Sequence, residues 1–140
     1  FGQAMAAPSV QAADPDPGLG ETVLVIDDEQ VVRMLITDVL QEAGYRVLQA
    51  ADGAAGLSIL QSHRRIDLLV SDVGLPGGMN GRQVADAARV TKPDLKVLFV
   101  TGYAETAVVG DGVMAEGMEV ITKPFATAGL AAKVRELLDR

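Results

Sequence analysis

Five times from Glu21 onward a short apolar run is followed by residues with helical periodicity, and turn or capping residues separate the pairs. That alternation is the signature of βαβ units built around a parallel sheet. Thr22 to Ile26 reads as a first buried strand, and Val31, Val32, Leu35, Ile36, Val39 and Leu40 follow at helical spacing until Gly44 stops the helix. Arg46 to Ala50 is the second strand, after which Asp52 is placed to cap a helix carrying Leu57, Ile59 and Leu60. Ile66 to Val70 is the third strand, and Asn80 is placed to cap a helix that holds Val84, Ala87 and Ala88 and ends before Pro93. Leu95 to Val100 and Met118 to Thr122 are the fourth and fifth strands, and Leu130, Val134, Leu137 and Leu138 mark a final helix. The weak unit is the helical stretch from roughly Glu105 to Glu116, where Gly110 and Gly112 each cost about 1 kcal/mol relative to alanine. It is expected to be short, frayed or mobile, either as a defect without meaning or as a surface that rearranges.

The third strand matters most. Ile66 to Val70 is nearly continuous in apolar residues, as expected of a strand covered on both faces in the middle of a parallel sheet. Ser71 and Asp72 break that run at its carboxyl end, which in an open α/β sheet is where ligands bind. Taken alone, Asp72 equally suits the start of a turn, since Asp is common before Gly and Pro.

With 140 residues and 49% hydrophobic content the chain suffices for one domain with a real core, but not two. Its net charge of −7 argues against nucleic acid, because nothing in it would neutralise a run of phosphates. There is no cysteine, hence no disulfide framework, thiolate nucleophile or zinc cluster, and a reducing compartment is compatible. The apolar runs are far too short to span a bilayer. A soluble, cytoplasmic domain without membrane contact is expected. Residues 1–20 are small, Pro-rich and aperiodic, without the basic start and apolar centre of a signal peptide, and read as a flexible linker or tail before a domain at 21–140. Phe1 in place of Met suits a chain cut from a longer one or an artificial start, and with the stop directly after the last helix no downstream output domain is expected.

The chemistry lies at the strand ends. The first strand ends in Asp27, Asp28 and Glu29, the third in Asp72, the fourth in Thr101, and the fifth in Lys123 followed by Pro124 and Phe125. Parallel strands point the same way, so their carboxyl ends bring these groups into one cleft. Carboxylates crowded together raise one another's pKa unless a cation sits among them. Mg²⁺ prefers oxygen ligands, keeps several waters and takes one or two carboxylates plus phosphate oxygens. That suits Asp28 and Asp72 as direct ligands, with Asp27 acting through a water. Lys123 adds an ammonium and Thr101 a hydroxyl, so a phosphoryl group would meet a metal, a cation and a donor. A carboxylate placed there can attack phosphorus and become an acyl phosphate.

In this ordered set the chain resembles the receiver domain of two-component response regulators, over about 120 residues from Glu21 to the end. The resemblance rests on Asp27 and Asp28 after the first strand, on Asp72 with Leu75 and Pro76 beyond it, on Thr101 and Gly102, and on Lys123, Pro124 and Phe125. It implies an α/β, flavodoxin-like three-layer sandwich of five βα units, with a parallel five-stranded sheet of order 2-1-3-4-5. It further implies Asp72 as phosphoacceptor, taking its group from a phosphohistidine of a histidine kinase or histidine phosphotransfer protein. Mg²⁺ would be bound by Asp27, Asp28, Asp72 and the Gly74 carbonyl. Thr101 and Lys123 would contact the phosphoryl group and couple it to movement of the fourth helix. Such a domain catalyses only its own phosphorylation and dephosphorylation.

Three positions depart from the family pattern. The loop after Asp72, VGLPGGMNG, is one residue longer than the usual spacing to its closing glycine. Val120 stands where the family often has an aromatic switch residue, so the usual rotating ring is missing. Tyr103, two residues after Thr101, is placed either to shield the phosphoryl group or to take over part of that role. The run LFVTGYAE with the GGMNG loop resembles receivers at the C-terminal end of hybrid sensor histidine kinases; a free-standing single-domain regulator is the other context.

Other functions fit less well. A flavin or nucleotide carrier would need a phosphate loop after the first strand, where Asp27, Asp28 and Glu29 repel an anion. A phosphatase with an aspartyl intermediate would place its nucleophile at the end of the first strand with a second Asp two positions on, whereas Asp27 and Asp28 are adjacent. A receiver-shaped interaction module that never takes phosphate would not need the intact set. His63, the only histidine, reads as a surface residue, and Met114 and Met118 as gap-fillers. Gly77 and Gly78 lack the Lys-Ser or Lys-Thr pair that follows a phosphate-cradling loop.

Overall fold

The computed structural model describes residues 21–62, 65–75, 77–102 and 116–139. The strands are β1 (Thr22–Ile26), β2 (Arg46–Ala50), β3 (Leu68–Asp72), β4 (Lys96–Thr101) and β5 (Met118–Thr122). The helices are α1 (Gln30–Glu42), α2 (Gly53–Gln61), α3 (Gly81–Thr91) and α4 (Thr127–Leu138). All neighbouring strands pair in parallel, in the order β2-β1-β3-β4-β5. This is the flavodoxin-like 2-1-3-4-5 sheet. The expectations for Tyr103, His63, Met114, the linker over 1–20 and the weak helix from 105 lie outside the described residues; Glu116 itself is in a turn with Gly117.

Successive strand residues point to opposite faces. On one face Leu24, Ile26, Leu69, Val97 and Phe99 meet Leu60 of α2 and Val84, Ala85 and Ala88 of α3. On the other, Val23, Val25, Leu68, Val70, Leu98 and Val100 meet Ile36 and Leu40 of α1 and Leu130, Val134 and Leu137 of α4. Helices on both faces are why the central strands carry no polar alternation: every residue of β3 is buried.

The caps behave as expected. Asp52 accepts from Ala55 N at 2.8 Å, and Asn80 forms a capping box with Gln83. Two strands, β3 and β4, differ from the sequence expectation at both ends. β3 starts at Leu68, not Ile66, because the Asp67 carboxylate takes the Thr22 amide proton at 2.8 Å, a donor that a longer ladder would use. It also runs on through Ser71 and Asp72, and β4 runs through Thr101, because ladder bonds join backbone groups whatever the side chains. Among the described residues no helix is long and apolar enough to cross a membrane.

Candidate functional site

Three backbone bonds, each one step past a strand end, build the site. Asp27 N donates to Ala50 O at 3.2 Å, Val73 N to Val100 O at 3.1 Å, and Lys123 N to Thr101 O at 2.7 Å. The β1, β3 and β5 termini are therefore held level by the sheet itself. The Lys123–Pro124 peptide that follows β5 is cis.

One carboxylate oxygen from each of Asp27, Asp28 and Asp72 lies within 4.8 Å of the others. Asp27 is fully buried and Asp72 is 4% exposed, whereas Asp28 is exposed to solvent. The Lys123 ammonium stands 3.6 Å from Asp72 Oδ2 and 3.8 Å from Glu29 Oε1. Gly74 N donates to Asp72 Oδ1 at 3.1 Å, so a backbone amide in the turn after β3 braces the Asp72 carboxylate. Thr101 is fully buried at the end of β4. The structure thus gathers Asp27, Asp28, Gly74, Asp72, Thr101 and Lys123 at one sheet edge.

The electrostatics of the cluster favour a cation. Burial pushes the Asp27 carboxyl up to about 6; the Glu29 amide, donating at 2.9 Å, opposes this, Asp72 adds to it, Lys123 opposes it and Asp28 adds to it. Two unit charges about 4 Å apart near a protein surface interact by about 4 kcal/mol, so one lysine shared between Asp72 and Glu29 cannot balance three carboxylates. Two buried oxygens, Asp27 Oδ2 and Thr101 Oγ1, find no hydrogen-bond partner among the described residues. Buried polar atoms are rarely left so, and a carboxylate oxygen aimed into an acidic cluster suits a hard divalent ion. The donor set, all oxygen with waters able to complete it from the exposed Asp28 side, fits Mg²⁺.

The loop after Asp72 turns on Gly77 and Gly78, with φ of 86° and 98°. These left-handed conformations explain both glycines without any phosphate-cradling role. Val120 is half-buried and packs on the face shared with α2 and α3.

Several residues near the site were not legible as such. Arg33 donates from Nη1 to Asp27 O at 2.7 Å and from Nε to Gln49 Oε1 at 3.2 Å. The signal was slight: Arg33 is the only basic residue of α1. Gly81 packs against the backbone of Asp72, a contact no local pattern announces.

A profile of the response regulator receiver domain family matches residues 23–135. The chain is 38% identical over 120 residues to the sensor kinase CckA of Brucella abortus, a match covering 85% of this chain and 13% of CckA. It is 31% identical over 116 residues to the response regulator receiver protein CpdR of the same organism, covering 83% of this chain and 95% of CpdR. Among solved structures, a response regulator receiver protein from Sinorhizobium medicae superposes with a TM-score of 0.78 at 30% identity, over 86% of this chain and 95% of that one. The receiver domain of the hybrid histidine kinase CckA gives 0.70 at 33% identity, over 84% and 98%. The chain belongs to the response regulator receiver domain family. It is a receiver domain of two-component signalling, similar to the CckA receiver and to CpdR.

Proposed function

We propose that Asp72 is the phosphoacceptor of this receiver, in a Mg²⁺-dependent reaction. The observation that carries the reading is one carboxylate, buried at a strand end, 3.6 Å from an ammonium and grouped with two further carboxylates. An Asp72 carboxylate oxygen attacks the phosphorus of a phosphohistidine. The P–O bond forms as the P–N bond breaks, and the bonding pair stays on the imidazole nitrogen, which takes up a proton. The product is an aspartyl phosphate and a neutral histidine. Lys123 offsets charge on the phosphoryl oxygens and the Thr101 hydroxyl donates to one of them, which answers its lack of a partner among the described residues. Asp27, Asp28, Asp72 and the Gly74 carbonyl would hold Mg²⁺, which supplies charge neutralisation at the transferring group.

The phosphodonor is a histidine kinase or a histidine phosphotransfer protein. Beside the acidic loop, α1 exposes Val31, Met34 and Leu35 at 81%, 48% and 44%, on one helical face. An apolar face next to the acceptor suits a protein donor whose histidine must reach Asp72. The higher identity to CckA supports a place as the receiver of a hybrid histidine kinase, in the cytoplasm, with residues 1–20 as linker and 21–140 as the domain.

Intact-mass measurement after incubation with Mg²⁺ and acetyl phosphate tests the reading. One added phosphoryl mass in the wild type, absent in Asp72→Ala and abolished by chelation, is expected. A wild type that neither binds Mg²⁺ nor gains mass would return the domain to a non-phosphorylated interaction module.

A further inference from the structure

The acidic loop between β1 and α1 carries three carboxylates, of which Asp27 and Asp28 repel each other within the cluster, yet among the described residues its backbone makes few bonds of its own. Asp27 N is tied to Ala50 O, and Glu29 N to the Asp27 side chain at 2.9 Å. The remaining tie comes from the helix. The Arg33 guanidinium reaches back six residues to the Asp27 carbonyl, at 2.7 Å from Nη1, while Nε holds Gln49 Oε1 on β2 at 3.2 Å. Arg33 is itself anchored at both ends of its residue: its N donates to Glu29 O at 2.9 Å, and its O accepts from Thr37 Oγ1 at 2.8 Å.

We propose that Arg33 is a positioning residue of the metal centre, pinning the peptide unit that joins Asp27 to Asp28 and so setting the affinity of the site for a divalent cation. This rests on reading the cluster as a Mg²⁺ site.

The Asp27 carbonyl lies in the same peptide plane as the Cα atoms of Asp27 and Asp28. Only the torsions flanking that plane are soft, so fixing its oxygen restricts where both side chains start. Without the tie, repulsion between the two carboxylates is relieved by letting exposed Asp28 swing outward, and a bound ion must then draw the loop back. A two-pronged guanidinium suits the task because it bridges the loop after β1 and a side chain on β2 in one rigid fork. Lysine supplies the charge without that fork. Groups that orient ligands while touching no metal typically change affinity by about 10–100-fold.

The test is a Mg²⁺ titration of the wild type, Arg33→Ala, Arg33→Lys and Gln49→Ala, followed by backbone amide shifts. Hydrogen exchange of the Asp28 and Glu29 amides is measured on the metal-free proteins. Expected are a Kd raised about tenfold or more in Arg33→Ala, most of that loss kept in Arg33→Lys, and faster metal-free exchange at Asp28 and Glu29 in both. Wild-type affinity in Arg33→Ala, or its full rescue by Arg33→Lys, would overturn the proposal. If Arg33→Ala does not fold, Gln49→Ala decides: its side chain is exposed and only one prong is lost, so a several-fold weaker Kd supports the proposal and an unchanged one overturns it. A wild type that binds no Mg²⁺ overturns the metal-site reading and this inference with it, whereas normal wild-type binding with unaltered variants removes this inference alone.

Discussion

Gly81 opens α3 so close to the backbone carbonyl of Asp72 that a β-carbon at position 81 would overlap that oxygen and stand 2.8 Å from Ser71 Oγ. The start of one helix therefore rests on the end of the strand that carries Asp72. Its own amide donates to Val73 O at 3.0 Å, closing the long loop between them.

Gly81→Ala sets two effects against each other. Alanine is better by about 1 kcal/mol within a helix, while overpacking costs about 1–3 kcal/mol. The overlap wins here because the atom in the way is a sheet carbonyl and not a side-chain tip that can rotate. A lower thermal midpoint and slower phosphorylation are expected. A melting curve and an intact-mass time course check both; a raised midpoint would show that the carbonyl gives way.

Lys123 is shared between Asp72 and Glu29 before any phosphoryl group arrives. Lys123→Met removes the one ammonium found against Asp72 among the described residues. The rate of phosphorylation by acetyl phosphate should fall by about 10²–10³-fold, the usual loss for one stabilising donor. Mg²⁺ binding should be retained or tighter, since a competing cation is gone. Equal losses in rate and in metal affinity would argue that Lys123 only holds the cluster together.

The raised Asp27 pKa makes a stability prediction for the metal-free domain. The group titrates at 3.8 when unfolded and at about 6 when folded, so the folded state keeps its proton longer. Stability contributed by this group is full below pH 3.8 and declines as pH rises through about 6. Asp27→Asn, measured by denaturant melts in chelator, should remove that decline and be more stable near neutral pH by on the order of 2–3 kcal/mol. The same variant should lose Mg²⁺ binding. A variant no more stable than the wild type at pH 7 would mean that burial costs Asp27 little.

A docking role for the exposed apolar face of α1 predicts that donor docking and chemistry can be separated. Replacing Met34 and Leu35 together by aspartate should slow transfer from a histidine-phosphorylated protein donor by about tenfold or more, as expected when a buried apolar contact of about 1.4 kcal/mol or more is lost. Phosphorylation by acetyl phosphate should be unchanged. Equal slowing with both donors would locate the effect in the site.

The fold is most legible in the sequence where side chains report directly on local structure. β1, β2 and β5 were placed to the residue because apolar runs there end at acidic, turn or basic residues. Asp52 and Asn80 were legible as caps because a short polar side chain before an apolar periodic stretch has one common use. Ser71, Asp72 and Thr101 looked like the first residues beyond their strands because they are polar. They are the last residues within them, since ladder pairing follows the backbone. The ordered acidic, hydroxyl and basic residues at strand ends made the cleft readable, as parallel topology alone brings them together. Arg33 and Gly81 escaped notice because their roles depend on how near one element approaches another, which periodicity does not encode.

Arg135 reaches Glu21 at 2.9 Å and the Tyr45 hydroxyl at 3.1 Å, on the edge of the sheet opposite the acidic cleft. The chain enters β1 at this edge, and β1 runs through the middle of the sheet with β2 on one side and β3 on the other. Two ladders and the Arg135–Glu21 ion pair therefore hold the start of β1, a central strand and not an edge strand. The acidic end lies a strand length away, about 16 Å for five residues. The Glu21 end of β1 is thus fastened on three sides, by β2, by β3 and by Arg135, at the far end of the strand from Asp27.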